Sequence, residues 1–309
     1  MIITLGTTPT VQRTMTFAKL AIDRVNRATS VRQFASGKSI NVARVLHALG
    51  ERVAAAGIVG GDSGKFMRQD MQRCGIAHDF ITTFTPTRLC LTLIDESGNT
   101  ATELIEEAAA PHEEAFDELL GKLTELVGAA KVLVMSGTLA PGAGNDFYAG
   151  CVSIARNAGV KTVVDARGIP LKLALAEKPT VVKPNRTELG ATFDRLIESE
   201  ESLRDAMKRV VELGAAWVVV TDGARDTIVS DGNEFWRIAT PAVKVINPIG
   251  SGDSFAAGLA AGLRREMNVP DACALGVVCA AANAMTSHAG HVNKEDITAL
   301  AKVVTVEET

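Results

Sequence analysis

An aspartate at the entrance of a helix, behind a serine framed by two glycines, can serve phosphoryl chemistry. The chain has one in VINPIGSGDSFAAGLAAGL, Val245 to Leu263. The spacing predicts a strand ending at Asn247-Pro248, a turn through Gly250, Ser251 and Gly252, and a helix from Ser251 to Glu266 that Asp253 enters. Backbone N–H groups from Gly250 to Asp253 then converge at a helix N-terminus, where negative charge developing on a transferring phosphoryl group is stabilised. The carboxylate sits beside them. Asp at such a position more commonly acts as a mere N-cap, but a cap requires neither glycine, whereas an anion hole needs unhindered backbone approach.

A second stretch, FASGKSINVARVLHALG from Phe34 to Gly50, looks like the end of a phosphate-binding P-loop. A P-loop places its first glycine where this chain has Arg32, so the backbone turn that wraps phosphates is not encoded. GGDSGKF fails in the same way, with Val59 at the glycine position and Phe66 where a hydroxyl residue would hold magnesium. Gly37 and Lys38 nonetheless precede a helix expected from about Asn41 to Leu49, and a helix N-terminus beside a lysine attracts anions. A loop lysine in solvent is the competing reading of that segment.

These residues need a scaffold. The 309 residues are 47% hydrophobic, ample for a buried core, and repeated strand-then-helix units imply an α/β fold with a mainly parallel sheet covered on both faces. RVAAAGIVG, KVLVMSG, KTVVDA, PTVVKPN and AAWVVVTDG read as strands; Ser63 to Cys74, Asp146 to Ala158 and Glu200 to Leu213 read as helices. Two segments, approximately 12–33 and 87–106, break the rhythm with strand alternation and the turn signal Ser97-Gly98-Asn99. Together they predict a small β-sheet lid inserted in a single unit, over the carboxyl ends of the main strands, where open α/β sheets bind ligands.

The net charge of −4 gives no footprint for nucleic acid. The five cysteines form no Cys-x-x-Cys pair and read as small buried hydrophobes, which fits a reducing cytoplasm. No signal peptide is expected, and the apolar run Ala272 to Met285 is shorter than the ~20 residues of a membrane span. His288 and His291 in HAGH lack further ligands at metal spacing.

NPIGSGD resembles the C-terminal signature of the ribokinase-like (PfkB) carbohydrate kinases, with an Asn-Pro start similar to the phosphosugar branch. GKSINVARVLHALG, SGTLAPG, KPNRTEL, VTDGARD and ANAMTSHAGHV resemble further family segments in the same order, across nearly the whole chain. The resemblance implies a cytoplasmic ATP-dependent kinase acting on a phosphosugar, with tagatose 6-phosphate or a fructose phosphate as acceptor. Asp253 becomes the general base, and Gly250, Ser251 and Gly252 the anion hole. Asn185 and Glu188 become the pair that organises Mg2+ and its water around the ATP phosphates; Lys183, Thr221, Gly223 and Asn283 line the nucleotide site. Gly37, Lys38 and Asn41 match the acceptor loop, and Arg88 matches an arginine that pairs with the phosphate already on the substrate. A monovalent cation and a homodimer through the lid are left open.

Three positions depart from the family pattern. Gln12 stands where an Asp usually accepts bonds from sugar hydroxyls, and Ser36 and Ser39 stand where Gly is usual. They bear on the choice of acceptor and leave the transfer motif intact. The rival readings are a kinase of an unphosphorylated sugar or nucleoside and a sugar-phosphate sensor without turnover. A nicotinamide dehydrogenase is disfavoured, since the first strand leads into GTTPT rather than a glycine-rich turn.

Overall fold

Short valine- and isoleucine-rich runs, buried on both sides, form the ten-stranded sheet of the computed structural model, which describes residues 1–309. The strands in chain order are β1 (Ile2–Gly6), β2 (Thr10–Phe17), β3 (Ser30–Ser36), β4 (Val53–Gly60), β5 (Ala77–Thr83), β6 (Leu89–Asp95) and β7 (Thr100–Ile105). They continue with β8 (Val132–Ser136), β9 (Lys161–Asp165), β10 (Val181–Val182), β11 (Trp217–Asp222), β12 (Arg225–Ser230), β13 (Phe235–Ile238) and β14 (Val306–Glu308). The helices are α1 (Lys38–Ala48), α2 (Gly61–Arg73), α3 (Ala115–Val127), α4 (Phe147–Asn157) and α5 (Gly168–Ala176). After them come α6 (Arg186–Thr192), α7 (Glu200–Glu212), α8 (Ser251–Arg264), α9 (Val269–Ala284) and α10 (Lys294–Leu300).

The main sheet runs β14-β13-β12-β11-β10-β9-β8-β1-β4-β5, parallel from β11 to β5 and antiparallel from β12 to β14. Successive side chains point to opposite faces, so each strand feeds two cores. Ile3, Leu5, Leu133 and Met135 join helices α3 to α7 on one face, while Ile2, Val132 and Val134 join α1, α2, α8 and α9 on the other. The expected doubly covered sheet is what forms. The closest helix pair is α8 against α9. A Cβ at Gly258 or Gly262 would come within 2.5 and 2.6 Å of α9 atoms, so only glycine permits this approach.

The segments that break the strand–helix rhythm make a separate four-stranded sheet, β3-β2-β6-β7. Its strands overrun the expected segment 12–33 at both ends, starting at Thr10 and finishing at Ser36, because β3 passes directly through Gly37 into α1. Ser97, Gly98 and Asn99 form the turn between β6 and β7, with Asn99 in the left-handed region at φ 49°. The end of β3 is clamped from the main body. Asp70 of α2 accepts from the Ala35 N–H at 2.8 Å, Arg44 of α1 donates to the Ala35 carbonyl at 2.9 Å, and the two side chains pair at 3.3 Å.

Three expectations are corrected. The α1 helix begins at Lys38 rather than Asn41, which places the lysine in its first turn. PTVVKPN yields only a two-residue strand, because Pro179 and Pro184 bracket it and neither can donate to a ladder. No strand precedes Asn247. The ladder position beside β13 is taken by β14, and residues 240–248 instead form a loop whose Ile246 and Asn247 N–H groups bond the Ala284 carbonyl at the end of α9.

Candidate active site

At the carboxyl ends of the parallel strands, roofed by the small sheet, lies a cavity of about 610 Å³. The N-termini of α1 and α8 both open into it. From the acceptor side Gln12, Gly37, Lys38, Asn41 and Arg88 line its wall; from the other side come Lys183, Asn185, Glu188 and Thr221, with Gly250, Gly252 and Asp253 between. Residues more than 200 positions apart in the chain therefore share one wall.

The α8 N-terminus opens unpaired N–H groups to the cavity. Gly250 is its N-cap at φ 82°, and a Cβ there would lie 2.9 Å from Ala289 Cβ and from the Gly290 nitrogen, so conformation and space both demand glycine. The N–H groups of Gly250, Gly252 and Asp253 make no hydrogen bond within the protein, as the first turn of a helix leaves them. Ser251 differs from the expected role. Its N–H is committed to the Pro248 carbonyl at 3.2 Å, so the hole has the other three donors. Asn283, expected at the nucleotide, is wholly buried behind the wall; its amide holds the Ile249 carbonyl at 2.9 Å and the Gly290 N–H at 2.8 Å. It fastens the loop rather than lining the cavity.

Asp253 is 7% exposed and accepts through Oδ2 from Asn41 Nδ2 at 2.8 Å, while its Oδ1 has no partner. Burial pushes its carboxyl up to about 6, against the pull of the Lys38 charge and the Asn41 bond. The balancing group is Asp165, the last residue of β9, which receives Lys183 Nζ at 3.3 Å and Lys38 Nζ at 3.4 Å. Burial works against its charge, yet the two ammonium groups hold it below the usual carboxylate range. Lys38 in turn is raised above the ordinary lysine value, chiefly by Asp165. The cluster thus places a surplus positive charge beside the anion hole.

Arg88 is held by two backbone carbonyls, Thr8 at 3.0 Å and Glu106 at 3.2 Å. A guanidinium has five N–H donors; the one on Nε is enclosed without a partner, and one on each Nη is left for the cavity. That leaves a fixed fork able to bond an anion. Gln12 donates to Thr92 Oγ1 at 2.8 Å across the small sheet. On the opposite wall Asn185 and Glu188 form a reciprocal capping box at the start of α6, with bonds of 2.8 and 3.0 Å. Glu188 keeps Oε1 free. One carboxylate and one amide, with no cluster of three metal-donor side chains anywhere in the chain, suit a magnesium held through water rather than a protein cage. Thr221 bridges to Asn185, and Gly223 makes the turn between β11 and β12 at φ 61°.

Asp165, Arg167 and Glu103 also line the cavity and were not singled out by the sequence. The available signal was position: Asp165 and Arg167 follow the carboxyl end of a parallel strand, where ligands bind. His288 and His291 pack edge-on against Phe34 at 5.7 and 6.0 Å, a structural use. Of the five free cysteines four are buried, and burial pushes the thiols of Cys151, Cys273 and Cys279 up. No helix is long and apolar enough to cross a membrane.

A doubly covered parallel sheet, a small sheet across its carboxyl edge and a buried aspartate at a glycine-capped helix define a ribokinase-like phosphotransferase with an alcohol group as acceptor. The family model described as pfkB family carbohydrate kinase matches residues 4–296, and the chain belongs to that family. It is similar to a candidate phosphofructokinase from Staphylococcus aureus, with 28% identity, TM-score 0.85, and 100% of this chain and 99% of that one covered. Phosphofructokinase-2 from Escherichia coli in complex with potassium is 25% identical, with TM-score 0.91 and coverage of 97% and 98%. A candidate 1-phosphofructokinase from Thermotoga maritima shares the fold at 22% identity and TM-score 0.89, with coverage of 100% and 99%.

The raised carboxyl of Asp253 has a consequence for stability. Its protonation favours the fold fully below the unfolded value near ~3.9, and that contribution is lost as pH rises through about 6. The ionised carboxylate therefore costs on the order of 1–3 kcal/mol at neutral pH and above. Asp253→Asn should raise the thermal midpoint relative to the native chain at alkaline pH, with the difference vanishing in acid. Equal midpoints at alkaline pH would contradict the electrostatic account.

Proposed function

We propose that this protein transfers the γ-phosphoryl group of ATP to a hydroxyl of a phosphosugar, tagatose 6-phosphate or a fructose phosphate. The observation that carries the reading is the buried carboxylate of Asp253, the one in the cavity with no ammonium partner, set beside three free N–H groups at the α8 N-terminus and facing Arg88 and Lys38 across one cavity. The acceptor oxygen attacks the γ-phosphorus, its proton passes to Asp253 Oδ1, and the bond to the β-phosphate oxygen breaks to release ADP. Asp253 remains a far weaker base than an alkoxide even when raised to about 6, so proton removal comes late. Positioning and charge neutralisation then supply most of the acceleration, through the Gly250, Gly252 and Asp253 N–H groups and the lysine pair.

Asn185 and Glu188 would orient the water shell of magnesium, which when bound neutralises charge on the ATP phosphates. Lys183 and Thr221 would line the nucleotide site, with Gly223 at its rim. On the acceptor side, the two uncommitted Nη donors on Arg88, with Lys38 nearby, favour a substrate that already bears a phosphate. The phosphofructokinase names of the Staphylococcus and Escherichia relatives agree with that class. The small sheet would act as a lid within one kinase unit. The exposed Val31 and Leu104 on its outer face, with Ile22 and Val25 on the β2–β3 connection, support a homodimer that covers this face.

Asp253→Asn should lower kcat by at least about 10³-fold while ATP binding persists; full activity would remove Asp253 from the chemistry. Arg88→Ala should weaken phosphorylated acceptors about 10- to 100-fold and leave unphosphorylated sugars unaffected, as a substrate panel would measure. An equal loss for both classes would favour an unphosphorylated acceptor. Light scattering should give twice the chain mass at micromolar concentration, and Leu104→Lys should reduce it to one; a native monomer would refute the shared face.

A further inference from the structure

Ser36, the last residue of β3, is 3% exposed, and its Oγ lies 2.9 Å from Asn41 Oδ1. A carboxamide oxygen only accepts, so the serine hydroxyl is the donor and the amide orientation is fixed. The Asn41 NH2 must then face Asp253, where it donates to Oδ2 at 2.8 Å. Asn41 is confined as well: a Cβ at Gly290 would come within 2.9 Å of its Cα and Cβ. The serine itself does not drift, because Asp70 and Arg44 hold the N–H and carbonyl of Ala35 just before it.

We infer that Ser36 is a positioning residue for phosphoryl transfer: its hydroxyl locks the Asn41 amide as a donor to Asp253 Oδ2, leaving Oδ1 as the oxygen that takes the acceptor proton. This rests on the reading of Asp253 as the base. Without the hydroxyl, the Asn41 amide is free to turn over. Its oxygen would then meet the carboxyl, an arrangement that suits protonated Asp253 and disfavours the ionised form the reaction requires. A glycine here would offer no hydroxyl and leave the amide unlocked. The other charged groups that act on Asp253 are Lys38 of α1, Asp165 of β9 and Lys183 beyond β10, and none of them touches Ser36.

The test compares the full-length native chain with Ser36→Ala, Ser36→Gly and Ser36→Thr. The Asp253 carboxyl is titrated by NMR, assigned with Asp253→Asn, and the acidic limb of kcat/KM is measured with ATP and fructose 6-phosphate or tagatose 6-phosphate. Ala and Gly should move both titrations upward by about half to one pH unit, with acceptor KM changed less than about twofold at alkaline pH; Thr should restore the native position. An unmoved carboxyl titration in Ala overturns the inference. So does a raised acceptor KM at every pH with the limb in place, which would make Ser36 a direct substrate contact. So does a lowered thermal midpoint with activity lost equally at all pH. An inactive Asp253→Asn beside an unmoved Ser36→Ala titration sinks only the role of Ser36, whereas an active Asp253→Asn overturns both readings.

Discussion

The ion cluster of Asp165 with Lys38 and Lys183 is the constraint on which the site depends. The first turn of α1 is joined to the ends of the paired strands β9 and β10 through one buried carboxylate. Removing a charge from water costs several kcal/mol, so an isolated Asp165 would not remain ionised; paired with two ammonium groups, it does. The surplus cation of the cluster is what permits Asp253 to carry charge nearby. The same surplus faces the route along which phosphate charge must move, so one cluster serves both the fold and the electrostatics of transfer.

The two halves of the cavity are built on different principles. Backbone dominates at the α8 end, where a left-handed Gly250 exposes three N–H groups and Asn283 fastens the loop from behind. Side chains dominate at the small sheet, where Gln12 and Glu103 project from β2 and β7 and Arg88 from the residue just before β6. Backbone donors cannot be altered by substitution without disturbing the helix, whereas the projecting side chains can vary freely. Phosphoryl transfer is therefore the invariant part of the design, and acceptor choice the adjustable one.

Much of this was legible before any coordinates. Valine-rich runs alternating with amphipathic segments mark the layered sheet, and Gly250 with Asp253 marks the start of α8, where the chain turns through a left-handed glycine into the helix. The misses have physical causes. KVINP looks like a strand because its apolar residues alternate, but pairing is decided by the vacant edge, and β14, sixty residues later, occupies it. Asp165 is a lone acid at a strand end in the sequence; its importance comes from two lysines distant along the chain. The spacing of Asn185 and Glu188 also spells a capping box, which is the use the structure shows, and the cap leaves Oε1 of Glu188 free.

The glycine contacts between α8 and α9 determine where the molecule can yield. With backbone against backbone at Gly258 and Gly262, α8 can neither slide nor tilt without collision, so the anion hole behaves as the fixed jaw of a vice. The small sheet is anchored mainly at the end of β3, where Ala35, Phe34 and Ser36 meet the body. The cavity is thus bounded by a wall packed helix against helix on one side and by a single small sheet, joined to the body where β3 runs into α1, on the other.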